Sequence, residues 1–235
     1  MKKEFVSEVA AIVVVWTGAM AFAAKPEELV EFPVSDNLRG HENIEWSSSY
    51  AFGLTDASRN LPRVLLVGDS ILGGYVNGVR GALNGKMNVT FWTSSYCVTS
   101  PGYLRLLSFY LDEAKYDVIH FNNGLHSLST PDADWEKGLR AALRLIRAKQ
   151  PKARVVWTTS TPLKDNGKTE KVKTLNAIAA KVVAEMGGIA TDDLFALMDP
   201  LDRETNWNDT FHFKPAPIAQ QTRQVTQSCL SALKD

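Results

Sequence analysis

This chain of 235 residues has few of the features that mark a specialised class of protein. It contains two cysteines, which excludes a disulfide-rich scaffold. Its 26 basic and 26 acidic residues cancel, and no basic stripe or acidic tail is present, so we expect no nucleic-acid partner. Internal repeats and low-complexity segments are also missing. The composition, 45% hydrophobic and 22% charged, is that of an ordinary globular protein with one sizeable domain.

Sequence signatures of metal and phosphate sites are missing as well. The sequence has no His-Glu-x-x-His motif and no cluster of Cys and His at ligand spacing. Gly85-Lys86 lacks the upstream glycine of a phosphate-binding loop. His120 lies within an apolar run, where a histidine with satisfied hydrogen bonds in the core is the expected role. We therefore expect neither a metal nor a cofactor.

The N-terminus has the outline of an export signal. Two lysines precede an apolar stretch over residues 10–22, which is short for a membrane span, although two glutamates depart from a purely basic start. Ala21-Phe22-Ala23 has the small-x-small pattern of a signal-peptidase site. We predict a signal peptide over 1–23, a secreted or periplasmic protein, and no stable membrane insertion after cleavage. An uncleaved anchor or a buried helix is the alternative.

The two cysteines allow two interpretations. An oxidising compartment would permit a bridge between Cys97 and Cys229. Cys229, however, lies on the apolar stripe of the last predicted helix, where a lone thiol behaves as a small apolar residue.

The rest of the chain divides into an arm and a regular domain. Residues 24–61 are expected to form an extended arm, with Trp46 and Tyr50 as anchors on the domain 62–235. In that domain short apolar runs alternate with helical patterns about five times, which predicts an α/β fold with a parallel sheet covered on both faces. The predicted strands are 64–67, 89–92, 117–121, 154–158 and 189–191; the predicted helices are 71–83, 104–114, 135–149, 168–186 and one that begins at Pro215.

Polar segments follow three of the predicted strands. They are Gly68-Asp69-Ser70, Asn122 to His126, and Thr159 to Pro162. Because sites in open parallel sheets form at the carboxyl ends of the strands, we expect these segments to share one edge of the sheet.

Ser70 and the segment Asp209-Thr210-Phe211-His212 together suggest a nucleophilic site. A serine hydroxyl is a weak nucleophile until a base removes its proton, and His212 is the natural base. Asp209 can accept the other ring N–H and fix the tautomer. Ser70 at a helix N-terminus would also place developing negative charge near free N–H groups. Each motif alone is more often a turn, but the two in this order favour catalysis.

These residues resemble the first and last sequence blocks of the SGNH/GDSL hydrolases, which are flavodoxin-like serine esterases, lipases and carbohydrate deacetylases. The matching segments are Leu65 to Ser70 and Asp209-x-x-His212, within residues 62 to 230. The resemblance implies a three-layer α/β/α sandwich with about five parallel strands. It also implies Ser70 as nucleophile, His212 as base and Asp209 as its partner.

The oxyanion hole departs from the pattern of that family. The third family block is usually Gly-x-Asn-Asp, but here Gly124-Leu125 is followed by His126, in an Asn-Asn-Gly-Leu-His form similar to a subgroup of secreted bacterial members. His126 is our first choice as oxyanion donor, with Asn122 and Asn123 as substitutes; alternatively His126 only makes local hydrogen bonds.

The second family block should supply a main-chain N–H from glycine to the same hole. Gly102 is the one glycine between the second strand and the next helix, and the N–H of Ser94 or Ser95 would serve equally well.

The expected function is hydrolysis of an ester, most plausibly an O-acyl group such as acetyl on a carbohydrate, by a serine esterase without a cofactor. Its partner is then a small-molecule or glycan ester substrate. Trp207 and Tyr96 flank the expected site and either stack on a sugar or pack in the core. A glycan O-acyltransferase would use the same triad, and a non-catalytic glycan-binding relative would explain the missing asparagine.

Overall fold

The computed structural model describes residues 45–51, 55 and 57–234. The predicted signal peptide and most of the predicted arm lie outside the described residues. Within the described part of the chain, no helix is long and apolar enough to cross a membrane.

A six-stranded sheet with the order β1-β3-β2-β4-β5-β6 forms the centre of the protein. The strands are β1 (Ser47–Tyr50), β2 (Arg63–Gly68), β3 (Asn88–Ser94), β4 (Val118–Phe121), β5 (Arg154–Thr158) and β6 (Ile189–Asp192). The helices are α1 (Ser70–Leu83), α2 (Tyr103–Asp112), α3 (Asp132–Lys149), α4 (Asn166–Met186), α5 (Leu194–Met198), α6 (Arg203–Asn206) and α7 (Pro215–Ala232), with a 3-10 turn at Leu125–Ser127. Strands β2 to β6 pair in parallel.

Two apolar clusters cover the two faces of the sheet. Alternate residues of β2 point into different clusters: Leu65 and Val67 into one, Val64 and Leu66 into the other. Helices α2, α3 and α4 complete the first cluster, and α1, α5 and α7 complete the second. Burial on both faces explains why the interior strand β2 is a continuous apolar run. The predicted three-layer α/β/α architecture is confirmed.

The five predicted parallel strands are β2 to β6, and the sheet also has a sixth strand that was not predicted. Residues Ser47–Tyr50, within the segment expected to be an extended arm, form β1, which pairs antiparallel with β3 at the edge of the sheet. Trp92 Nε1 donates to Ser47 Oγ (2.7 Å), and Thr93 Oγ1 donates to the Ser48 carbonyl (3.3 Å). All four β1 residues are exposed, so the strand has no alternating apolar pattern from which to predict it.

No bridge joins the cysteines. Cys97 and Cys229 are both free and buried, and they belong to the two different clusters on opposite faces of the sheet. The interpretation of Cys229 as a small buried apolar residue is confirmed. Burial raises the pKa of its thiol, which keeps it protonated.

Candidate active site

Ser70 begins α1 at the carboxyl end of β2. Asp69 caps this helix, its Oδ1 accepting from the Ile71 N–H at 2.8 Å. A Cβ on Gly68 would lie 3.0 Å from Leu72 Cβ, so a larger residue there would push against the first turn of the helix. The first N–H groups of a helix have no intrahelical partner, and here they lie beside the Ser70 hydroxyl.

His212 joins Ser70 to Asp209. His212 Nε2 lies 2.8 Å from Ser70 Oγ, and His212 Nδ1 lies 2.8 Å from Asp209 Oδ2. With the Nδ1 proton donated to the carboxylate, Nε2 is the acceptor for the serine hydroxyl. The three side chains thus form a continuous hydrogen-bonded chain from carboxylate to hydroxyl, the arrangement that activates a serine.

The Asp209 carboxylate is held ionised by its own loop. Asp209 Oδ1 accepts from the N–H groups of Phe211 (2.8 Å) and His212 (2.9 Å). Desolvation raises the pKa of Asp209, but these bonds and the bond to the imidazole outweigh it and hold the pKa at about 2. The side chains of His212 and Asp209 are 43% and 55% exposed, so the triad is open to solvent.

A short hairpin presents Asp209 and His212. Trp207 pairs with Phe213 in an antiparallel bridge, and their rings lie 4.5 Å apart. The Arg203 guanidinium lies over the Trp207 ring at 4.5 Å. Trp207 is only 1% exposed, so the hypothesis that it stacks on a sugar is wrong. Its indole instead packs in the core beneath the hairpin, against Phe213 and Arg203.

His126 lies on the 3-10 turn that follows β4. Its ring meets the Trp46 ring edge to face, with centroids 6.1 Å apart. Gly124, at the start of the turn, approaches the segment after β5 so closely that a Cβ would lie 1.9 Å from Ser160 Oγ. Gly124 is therefore needed for the position of the turn, and it contributes no side chain to a substrate.

Asn122 and Asn123, the alternative oxyanion donors, instead make hydrogen bonds between loops. Asn122 Nδ2 donates to the Thr158 carbonyl at 2.6 Å. Asn123 Nδ2 donates to the Tyr96 carbonyl (2.8 Å), while its Oδ1 accepts from the Val98 N–H (3.1 Å). Asn123 is buried, so its amide joins the loop after β3 to the loop after β4.

The predicted main-chain donors after β3 also have other contacts. The Ser95 N–H donates to the Trp46 carbonyl (3.1 Å), and Ser95 Oγ donates to Glu45 Oε2 (2.7 Å). In this arrangement the Ser95 N–H is not available to an oxyanion. Gly102 lies at the start of α2 beside the half-buried Tyr96 ring.

The sequence did not reveal that the Asp69 carboxyl group is buried. Asp69 is 5% exposed, and its Oδ2 has no hydrogen-bond partner among the described residues. Asp69 and Thr161 both line a small cavity at this edge of the sheet. Burial raises the pKa of the Asp69 carboxyl, and the nearby charges of His126 and His212 act against that rise. A buried carboxylate thus lies directly behind the serine.

His120 is a buried core histidine, as predicted. Its Nε2 lies 2.8 Å from Asp192 Oδ2, and Thr158 Oγ1 lies 2.7 Å from the same nitrogen. Among the described residues, no group of three or more His, Cys, Asp or Glu side chains could hold a metal ion.

Comparison with solved structures places the fold. A carbohydrate esterase of family 3 from Talaromyces cellulolyticus matches with a TM-score of 0.60 at 13% identity, over 74% of this chain and 99% of that one. A lipolytic G-D-S-L protein from Veillonella parvula matches with a TM-score of 0.60 at 16% identity, over 70% and 96%. A family 2 carbohydrate esterase from Clostridium thermocellum, solved with cellohexaose, matches with a TM-score of 0.57 at 15% identity, over 74% and 65%.

These similarities confirm the SGNH hydrolase fold that the sequence resemblance implied. No protein-family model matches the sequence, and no curated protein matches it.

Proposed function

We propose that this protein is a serine esterase that cleaves an O-acyl group, most plausibly acetyl, from a carbohydrate. The observation that supports it best is the hydrogen-bonded chain from Asp209 through His212 to Ser70, with distances of 2.8 Å at both links. A turn or a helix cap would need none of these three side chains to meet.

The mechanism follows from the geometry. Ser70 Oγ attacks the ester carbonyl as His212 Nε2 takes its proton, and the imidazolium is stabilised by Asp209. The Ser70 N–H and the His126 imidazole stabilise the tetrahedral oxyanion. His212 returns the proton to the leaving alcohol, which breaks the ester bond and leaves an acyl-serine. Water, deprotonated by His212, then releases the acid and restores the hydroxyl.

The carbohydrate part of the proposal has separate support. Two of the structural neighbours are carbohydrate esterases, and one of them was solved with cellohexaose. The predicted export signal would deliver the protein to the periplasm or the exterior, where glycan esters are available.

An acyltransferase is the second candidate, and one observation favours it. His212 and Asp209 are about half exposed, so the base is open to an alcohol acceptor as well as to water. The non-catalytic alternative is disfavoured, because a protein that only binds glycans needs no aligned serine, histidine and carboxylate.

A chain-length series of aryl esters from acetate to octanoate tests the proposal. We expect cleavage of the acetate to exceed that of the octanoate, and loss of cleavage in Ser70→Ala. Ser129→Ala, which removes an exposed hydroxyl, is the matched control and should retain full activity. Transfer to an added oligosaccharide that outpaces hydrolysis would favour the acyltransferase. Cleavage that survives Ser70→Ala would overturn both.

A further inference from the structure

The chain that enters β1 reaches the edge of the sheet where Ser70 lies. Because β1 runs antiparallel to β3, its first residue, Ser47, pairs with Ser94, the last residue of β3. Trp46 therefore projects beyond the carboxyl ends of the parallel strands. Gly68, two residues before Ser70, pairs with Thr93 of the same strand β3. With adjacent strands about 4.8 Å apart, the β1 backbone runs roughly 10 Å from that of β2.

The Trp46 side chain then turns across this edge. Its ring touches His126, which follows β4, although β3 and β2 lie between β1 and β4 in the sheet. The contact between Trp46 and His126 thus passes over the ends of β3 and β2. Those strand ends lead to the loop that contains Ser95 and to Ser70. Trp46 is half-buried, so the residue is not enclosed by the described part of the chain.

The backbone of Trp46 is fixed at this position. Ser95 Oγ accepts from the Trp46 N–H (2.8 Å), and the Ser95 N–H donates to the Trp46 carbonyl (3.1 Å). Ser95 itself is fully buried, and its hydroxyl also donates to Glu45. An aromatic ring held in this way loses little conformational entropy when a ligand packs on it.

We propose that Trp46 forms the wall of the alcohol subsite, where its indole stacks on the sugar ring that bears the ester. The apolar face of a pyranose matches an indole in size, and a ring fixed beside His126 orients the ester towards Ser70. This subsite rests on the proposed function, since it assigns the substrate class of the same site. It also gives β1 a role in selecting the substrate that is separate from the triad.

Binding to inactive protein tests the subsite independently of catalysis. In a Ser70→Ala background, the dissociation constants of O-acetylated xylo-, cello- and chito-oligosaccharides are measured by NMR titration, following the tryptophan indole N–H signals. We expect at least one of them to bind, Trp46→Ala to weaken it by about tenfold or more, and Trp46→Phe to stay within about threefold of Trp46.

Tyr50→Ala is the matched control. Tyr50 is an exposed aromatic residue on the same strand, stacked on Phe91 at the opposite end of β1. Its removal should leave the dissociation constant unchanged. The subsite is disproved if none of the three oligosaccharides binds, or if Trp46→Ala binds them as tightly as Trp46 does. A different result would disprove the esterase proposal: ester cleavage that persists in Ser70→Ala.

Discussion

His212 Nε2 lies 2.8 Å from Ser70 Oγ, although the two residues are 142 positions apart in the chain. Ser70 is placed by the turn from β2 into α1, and His212 by the hairpin before α7. Helices α1 and α7 pack closely: a Cβ on Gly78 would lie 2.7 Å from Thr222 Oγ1. This close packing brings the two halves of the site together.

Asp209→Asn should lower kcat about 10⁴-fold with little change in KM. The amide can still occupy the loop, but it no longer favours the tautomer with a proton on Nδ1, so Nε2 loses its role as acceptor. Steady-state kinetics on an aryl acetate measure the effect. Asp202→Asn, an exposed helix cap nearby, is the control, because asparagine caps as well as aspartate. A loss below tenfold in Asp209→Asn would show that the carboxylate does not orient His212.

Substitutions of His126 distinguish two roles for this residue, donation to the oxyanion and a purely structural contact. His126→Ala should lower kcat by about 100- to 1000-fold, the usual cost of one lost donor. His126→Asn should recover part of that loss, because an amide N–H can donate to the same oxygen. The measurement is kcat for both variants together with their thermal stability. Equal kcat in His126→Ala and the wild type would remove His126 from the mechanism.

Gly124→Ala should destabilise the protein, since the new methyl group collides with Ser160. Its Cβ would lie 1.9 Å from Ser160 Oγ and 3.0 Å from Ser160 Cβ, so the Ser160 hydroxyl must rotate away from Asn122, its present hydrogen-bond donor, or the turn that bears His126 must shift. We expect a loss of about 1–3 kcal/mol in the free energy of unfolding, measured by urea denaturation, and reduced kcat. Gly102→Ala is the control, because its Cβ would meet only Tyr96 at 3.6 Å. Similar losses in both variants would contradict the steric argument.

Asp69 should make the folded protein less stable as pH rises. Its folded-state pKa lies above the ordinary value of 3.8, so the stability that it contributes is fully present below that pH and is lost as pH rises through the folded-state pKa. Asp69→Asn keeps the helix cap and cannot ionise. The free energy of unfolding of the wild type, relative to Asp69→Asn, should therefore fall as pH rises above the ordinary value of 3.8.

The control for that comparison is Asp165→Asn, which exchanges an exposed cap of α4 in the same way. Urea unfolding at a series of pH values gives the curves. Parallel curves for the wild type and Asp69→Asn would show that burial of Asp69 has no effect on its ionisation.

The parallel layers were predictable because their signals are local. Strands β2 to β5 are short, largely buried runs, and the helices that follow them have apolar stripes, so alternation along the chain was enough to predict that Ser70 and His212 share one edge. Strand β1 gives no such signal. Its four exposed residues form a strand only because β3 offers a partner far along the chain.

The parts of the site that the sequence did not reveal depend on non-local contacts. Trp46 reaches His126 only through the pairing of β1 with β3, and Trp207 is buried by Arg203 and Phe213. The engagement of the Ser95 N–H by Trp46 follows from the same pairing. Neither periodicity nor motif spacing records such contacts.

Covalent labelling with a fluorophosphonate tests the central claim most directly, because only an activated serine displaces fluoride from phosphorus. Intact mass and peptide mapping identify the modified residue. We predict one phosphonyl group per chain, located on Ser70, absent in Ser70→Ala and formed far more slowly in His212→Ala. A chain that stays unlabelled, or a label that persists in Ser70→Ala, would contradict the account.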